Sequence, residues 1–195
     1  GGDDIIYGGN GNDRIWGDSI HQNGYIQGFG FNFALGGDDI IDGGDGDDII
    51  YGDSQTYSMS TGHNVGGDDI ITGGCGNDTM YGVGGSDRFV FRQADIATNG
   101  PVETDTIKDF RFDDVIDLGD LLNTAQTVSN LDQYLDFSQG TNGVNINIDT
   151  NQDGVTDHII VLENQTLSNL GWPTGTSDTD ILTNMLNHNT LDTLA

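Results

Sequence analysis

Residues Gly43 to Tyr51 read GGDGDDIIY, and these nine residues decide the fold. Glycines at the first, second and fourth places let the backbone turn sharply at positive φ and bring carbonyl oxygens inward. Asp48, at the sixth place, adds a carboxylate, and hard oxygens of both kinds are what Ca²⁺ takes at about six to eight positions. The last three residues alternate outward, inward, outward as a strand does. One nonapeptide is therefore a metal-binding turn followed by a short strand.

The pattern recurs seven times before residue 92, with sixth-place aspartates Asp4, Asp13, Asp39, Asp48, Asp69, Asp78 and Asp87. Their eighth-place partners Ile6, Ile15, Ile41, Ile50, Ile71, Met80 and Phe89 are the expected core. Such units stack as a parallel β-roll, odd turns on one edge and even turns on the other, with each ion between neighbouring turns of one edge. Seven turns then hold about five ions, about three on the odd edge and about two on the even. The expected ligands are these seven aspartates and the turn glycines Gly9, Gly11, Gly37, Gly44, Gly46, Gly67, Gly74 and Gly76. Acidic, glycine-rich sequence can also be a disordered linker, but the strict spacing of Gly, Asp and Ile argues against that.

Charge supports the same reading. The 195 residues carry 32 Asp plus Glu against 5 Lys plus Arg, a net charge of −27. About five calcium ions cancel about 10 of those charges where they are densest, so folding and calcium binding are expected to be one event. The acidity argues against nucleic acid and against anionic membranes, and no long apolar run predicts membrane insertion. Cys75 stands alone at a third place, a free thiol with no internal disulfide available. The sequence starts in mid-repeat and is expected to continue upstream.

Turns two, four and six are uninterrupted. Turns three and five begin Gly17-Asp18-Ser19 and Gly52-Asp53-Ser54, then resume at Gly36 and Gly66 after insertions at 19–35 and 54–65. Both insertions leave from one edge and are expected to lie one above the other, where solenoids often bind partners. Asp18 and Asp53 are candidate extra calcium ligands. The first insertion carries Tyr25, Phe29, Phe31 and Phe33, which either shield the edge or form a platform for a sugar or peptide. The ninth-place residues Trp16, Tyr51 and Tyr81 form an outward aromatic ladder, either stiffening the sheet or contacting a ligand.

After Arg88 to Phe91, a strand expected to cap the roll, glycine thins. Strands are expected at 106–110, 115–118, 135–138, 144–149 and 158–162, a short helix at 120–122, and an amphipathic helix at 178–187 with Ser177 or Asp178 as N-cap. Asp149 to Asp157 reads DTNQDGVTD, the first nine places of an EF-hand-type loop with Gly154 at the turn. Its twelfth place is Ile160 instead of the bidentate Glu, and strands flank it. It is read as a calcium loop in a β-hairpin, holding about one more ion. Its ligands are Asp149, Asn151, Asp153, Asp157 and the Val155 carbonyl, against a plain Asx-rich turn. Asp105, Asp109 and Asp117 make either a further site or a solvated acidic face. His21, His63, His158 and His188 share no ligand spacing and are expected on surfaces or loops.

The nonapeptide resembles the hemolysin-type calcium-binding repeat of RTX proteins. The succession of these repeats, then GGSDRFVF, ETDTIKDFRFDDVIDLGDLL and NINIDTNQDGVTDHIIVLEN, resembles the carboxyl end of large bacterial RTX surface adhesins exported by type I secretion. The resemblance implies an all-β protein. A calcium-bound parallel β-roll occupies 1–91, a small β-rich capping domain with short helices 92–176, and a terminal helix with the secretion signal 177–195. It implies calcium-dependent folding and export, with the type I secretion machinery as partner, a monomeric module, and a secreted or cell-surface location serving adhesion and biofilm. A ligand-binding adhesive module for a host-surface glycan or peptide is one alternative, and the tail of a secreted hydrolase another. The chain contains no HExxH and no GxSxG motif, and Gly17-Asp18-Ser19 echoes an esterase block only at a repeat boundary, so no catalysis is expected.

Overall fold

The computed structural model describes residues 2–18, 36–53, 66–96, 100–122, 128–171, 176–188 and 190–193. Both insertions, with Tyr25, Phe29, Phe31 and Phe33, lie outside the described residues. In chain order the strands are β1 (Ile5–Asn10), β2 (Arg14–Trp16), β3 (Ile40–Asp45), β4 (Ile49–Tyr51), β5 (Ile70–Cys75), β6 (Thr79–Tyr81) and β7 (Arg88–Val90). They continue with β8 (Glu103–Ile107), β9 (Val115–Asp117), β10 (Leu135–Gln139), β11 (Gly143–Ile148), β12 (His158–Glu163) and β13 (Leu191–Asp192). Among the described residues, two α-helices, α1 (Val128–Leu131) and α2 (Asp178–Asn187), and a 3-10 turn at Gln93–Asp95 complete a nearly all-β fold.

Odd turns feed one sheet, ordered β1-β3-β5-β7-β9-β13, and even turns feed the other, ordered β10-β11-β12-β8-β6-β4-β2. Within the roll all pairing is parallel and in repeat register, Ile6 beside Ile41, Ile41 beside Ile71 and Ile71 beside Phe89. This is the parallel β-roll that the nonapeptide dictates. Eighth-place residues Ile15, Ile41, Ile50, Ile71, Met80 and Phe89 are buried between the sheets, while Ile6, in the first turn, is only partly covered. Burying one such side chain contributes about 1.5–3 kcal/mol, so the roll has a thin core.

The cap joins both sheets directly. β8 pairs parallel to β6, β9 to β7, and β13 to β9, while β12, β11 and β10 extend the even sheet, the last two pairings being antiparallel. Strand 103–107 lies three residues earlier than the 106–110 expected, because pairing of Met80 with Ile107 fixes its register. The expected helix at 120–122 is a turn with one α-type bond, Leu122 N–H to the Leu118 carbonyl at 3.0 Å. α2 begins where expected: Ser177 Oγ accepts the Asp180 amide at 3.2 Å, and Ile181, Leu182 and Met185 are buried.

Candidate metal centre

Positive φ occurs at the second and fourth places of the even turns, at Gly9, Gly11, Gly44, Gly46, Gly74 and Gly76, and at Gly85. First-place glycines do not share it, which corrects the sequence reading; they are needed for closeness. A Cβ on Gly43 would collide with Asp48 Oδ2 and the Gly73 carbonyl, and one on Gly52 with Asp69 Oδ2. Backbone, carboxylate and the next turn's carbonyl thus crowd into one oxygen-lined cradle per turn.

The sixth-place aspartates form two ladders. On the even edge, the Asp13 amide donates to Asp48 Oδ1 (2.7 Å) and the Asp48 amide to Asp78 Oδ1 (2.8 Å). On the odd edge the donors are Asp4 to Asp39 (2.8 Å), Asp39 to Asp69 (2.9 Å) and Asp69 to Asp87 (3.1 Å). In Asp39, Asp48, Asp69 and Asp78 Oδ1 is satisfied and Oδ2 is left over, buried with no hydrogen-bond partner, as is Oδ2 of Asp13. Buried unpaired carboxylate oxygens are costly, and a hard cation relieves that cost. Among the described residues no three His, Cys, Asp or Glu side chains converge as a metal site. A cation here therefore draws on main-chain carbonyls for much of its shell, which suits Ca²⁺ and does not suit zinc.

Electrostatics fit the same group. Burial pushes the Asp69 carboxyl up to about 9; the hydrogen bond from the Asp39 amide opposes this, while Asp53, Asp87 and Asp39 add to it. Burial also raises Asp78, with Asp105 adding, and Asp87, each to about 8, and Asp53 to about 7. A nearby cation would hold such a group of carboxylates ionised at neutral pH.

Asp18 and Asp53 occupy the second place of turns three and five, where the insertions leave. Asp18 Oδ2 accepts the Gly37 amide at 2.7 Å and Asp53 Oδ2 the Gly67 amide at 2.9 Å, so each aspartate holds the glycine at which its repeat has resumed. The Asp18 amide donates to the Gly52 carbonyl at 3.3 Å, so the two departure points are adjacent. Asp53 Oδ1 is buried and unpartnered beside Gly36, within reach of the same odd-edge cradle.

Two rungs escaped the repeat pattern. Asp105 Oδ1 accepts the Asp78 amide at 2.8 Å, and Asp114 Oδ1 the Asp87 amide at 3.1 Å. Each carries the surviving signal of the motif: Asp105-Thr106-Ile107 and Asp114-Val115-Ile116 keep places six to eight after the glycines have gone. Asp109 accepts the amides of Gly82 and Val83, and Asp117 holds Arg88 and the Gly119 amide. These residues tie cap to roll and do not share one site. His158, expected on a surface, is buried: its β12 position turns it inward, Nε2 hydrogen-bonded to Asp105 Oδ2 at 3.1 Å and its ring against Phe91.

The loop 149–157 closes on itself. Asp149 accepts the amides of Asp153 (3.2 Å) and Gly154 (2.8 Å), Asn151 Oδ1 accepts Asp153, Asp153 Oδ1 accepts Val155, and Asp157 Oδ2 accepts the Thr150 amide and hydroxyl. The Asn151 and Asp153 bonds are Asx turns, and the side chains that make all these bonds are expected ligands of the loop. Trp16, Tyr51 and Tyr81 stack face to face, with centroids 5.5 and 4.4 Å apart and planes 2° and 10° apart. Both faces of Tyr51 are covered by its neighbours. Cys75 is free, and burial, with Asp95, Asp45 and Glu103 adding, pushes its thiol up.

The family model of the RTX calcium-binding nonapeptide repeat (4 copies) matches residues 1–19, 33–57 and 65–89. Among solved structures, the AlgE6R3 subunit of the Azotobacter vinelandii mannuronan C5-epimerase is similar at 23% identity and a TM-score of 0.47, over 82% of this chain and 77% of that one. Comparison with curated proteins finds no match.

Proposed function

Because the segment up to residue 89 carries RTX calcium-binding nonapeptide repeats, we propose that the chain is a calcium-dependent folding and type I secretion module at the C-terminal end of an exported bacterial surface adhesin. The observation that carries the calcium part is the row of buried Oδ2 atoms, at Asp13, Asp39, Asp48, Asp69 and Asp78, that face no donor. Those residues with the turn carbonyls would hold the ions, about three on the odd edge and about two on the even. Bound calcium supplies positive charge; the chain supplies the shape. Asp Oδ1 orients each rung, first-place glycines admit the carboxylate, and the eighth-place side chains exclude water beneath it.

The export part is supported by chemistry and by likeness. RTX repeats are typical of secreted proteins, and among the described residues no helix is long and apolar enough to cross a membrane. Where calcium is scarce the carboxylates repel one another and the chain stays expanded, the form a transporter can thread. Where calcium is abundant it folds and cannot slide back. The export signal is assigned to 177–195, and the adhesin context rests on the resemblance of 84–164 and of the Gly-Asp-Ser insertions to adhesin ends.

Calorimetric calcium titration with parallel circular dichroism, from chelator to excess, tests the folding part. Binding of several ions with simultaneous gain of β structure is expected; a chain already β-rich and compact in chelator overturns it. Expression of the whole chain beside a type I transporter tests export. Transporter-dependent release to the medium is expected, and full retention sinks that part.

A further inference from the structure

Both aspartate ladders run past the last matched repeat and stop inside the cap, and they stop alike. In the inner rungs Asp39, Asp48, Asp69 and Asp78, Oδ1 holds an amide and Oδ2 is open. In the terminal rungs Oδ2 is taken by nitrogen from the cap: His158 Nε2 on Asp105 at 3.1 Å, and the Arg111 amide on Asp114 at 2.7 Å.

Arg111 also reaches the turn itself. Its Nη1 donates to the Val83 carbonyl at 3.3 Å and its Nη2 to the Gly85 carbonyl, the second and fourth places of turn seven. Gly85 ends a column on the odd edge. A Cβ on Gly67 would meet the Gly37 carbonyl, and one on Gly85 the Gly67 carbonyl, so each fourth-place carbonyl faces the next turn. After Gly85 the next group is a guanidinium. Four of the five basic residues, Arg88, Arg92, Lys108 and Arg111, fall in this junction, against one, Arg14, elsewhere.

We propose that Arg111 is a built-in cation that fills the last calcium position of the odd edge, so that the cap docks on turn seven without metal. The proposal rests on the inner rungs being calcium sites. A guanidinium is always charged, presents N–H donors in a rigid fork, and matches two carbonyls where a sphere would match more. It takes the two turn carbonyls, and its positive charge repels a second cation from the Asp87 and Asp114 carboxylates. Removing the guanidinium frees the Val83 and Gly85 carbonyls beside the Asp87 and Asp114 carboxylates, while the Arg111 amide stays on Asp114 Oδ2. The side chain is exposed, so substitution removes little packing.

The test compares calcium stoichiometry of the whole wild-type chain, Arg111→Gln and Arg111→Lys by titration calorimetry, with near-ultraviolet circular dichroism alongside. R111Q is expected to bind one more ion per chain than the wild type, and R111K, which keeps the charge, the same number. Equal stoichiometry for R111Q and wild type overturns the proposal while leaving the calcium reading intact. A wild type that binds no calcium overturns that reading, and the proposal with it. If R111Q is unfolded where the wild type is saturated, ions are counted at the calcium concentration that restores the wild-type near-ultraviolet spectrum: one ion more than the wild type supports the proposal, and an equal count or no recovery overturns it.

Discussion

At the scale of single residues the roll is held by closeness. Gly43 lies under Asp48 Oδ2 and the Gly73 carbonyl, so Gly43→Ala forces a methyl group into a filled cradle. Overpacking of this kind costs about 1–3 kcal/mol, and here it also moves a calcium ligand. Gly43→Ala is therefore expected to lower the thermal midpoint in saturating calcium and to weaken calcium binding, both measurable by calorimetry. An unchanged calcium isotherm would falsify the assignment of this cradle. The seven repeat aspartates were legible because a fixed spacing marks them. Asp105, Asp114, His158 and Arg111 were not, because their roles depend on which strand lies beside which, and Asp105 is 27 residues from the Asp78 amide it receives.

At the scale of elements, the even sheet carries its aromatic ladder on the outside, where Trp16 remains 46% exposed. Parallel register places Trp16, Tyr51 and Tyr81 side by side, and the rings stack on each other. Each aromatic pair contributes about 0.5–1.5 kcal/mol beyond burial, so Tyr51→Ala, which breaks two, is expected to cost about 1–3 kcal/mol in calcium. Denaturant unfolding checks this, and a loss no greater than that of Trp16→Ala contradicts the ladder. α2 was legible to the residue because capping and periodicity are local: Ser177 caps, and its apolar residues meet the core. Residues 120–122 misled because an isolated Leu-Leu after Gly-Asp suits a turn as well as a helix. β13 was invisible, since two residues carry no periodicity and only β9 makes them a strand.

For the whole molecule, charge sets the dependence on pH. Without metal, folded-state values of about 9 for Asp69, about 8 for Asp78 and Asp87, about 7 for Asp53 and about 6 for Asp114 stand above the ordinary 3.8. The folded chain then binds more protons than the unfolded one, so its stability is present in acid and is lost as pH rises from about 4 to about 9. Calcium reverses the slope: it needs the ionised carboxylates, so its affinity rises over the same window and binding releases protons. Scanning calorimetry from about pH 5 to about pH 8 should show a midpoint that rises in limiting calcium. A midpoint in limiting calcium that falls over this range contradicts the coupling of calcium binding to release of these protons.

The ladders also have a direction. Every rung's amide waits for a carboxylate from the rung that follows it in the chain, from Asp4 through Asp39, Asp69 and Asp87 to Asp114, and from Asp13 through Asp48 and Asp78 to Asp105. Only the terminal rungs are held by groups other than a later rung, His158 on one side and Arg111 on the other. The ladders are thus polar: the last carboxylates rest on groups of the cap, and each earlier turn leans its amide on the carboxylate of the turn after it.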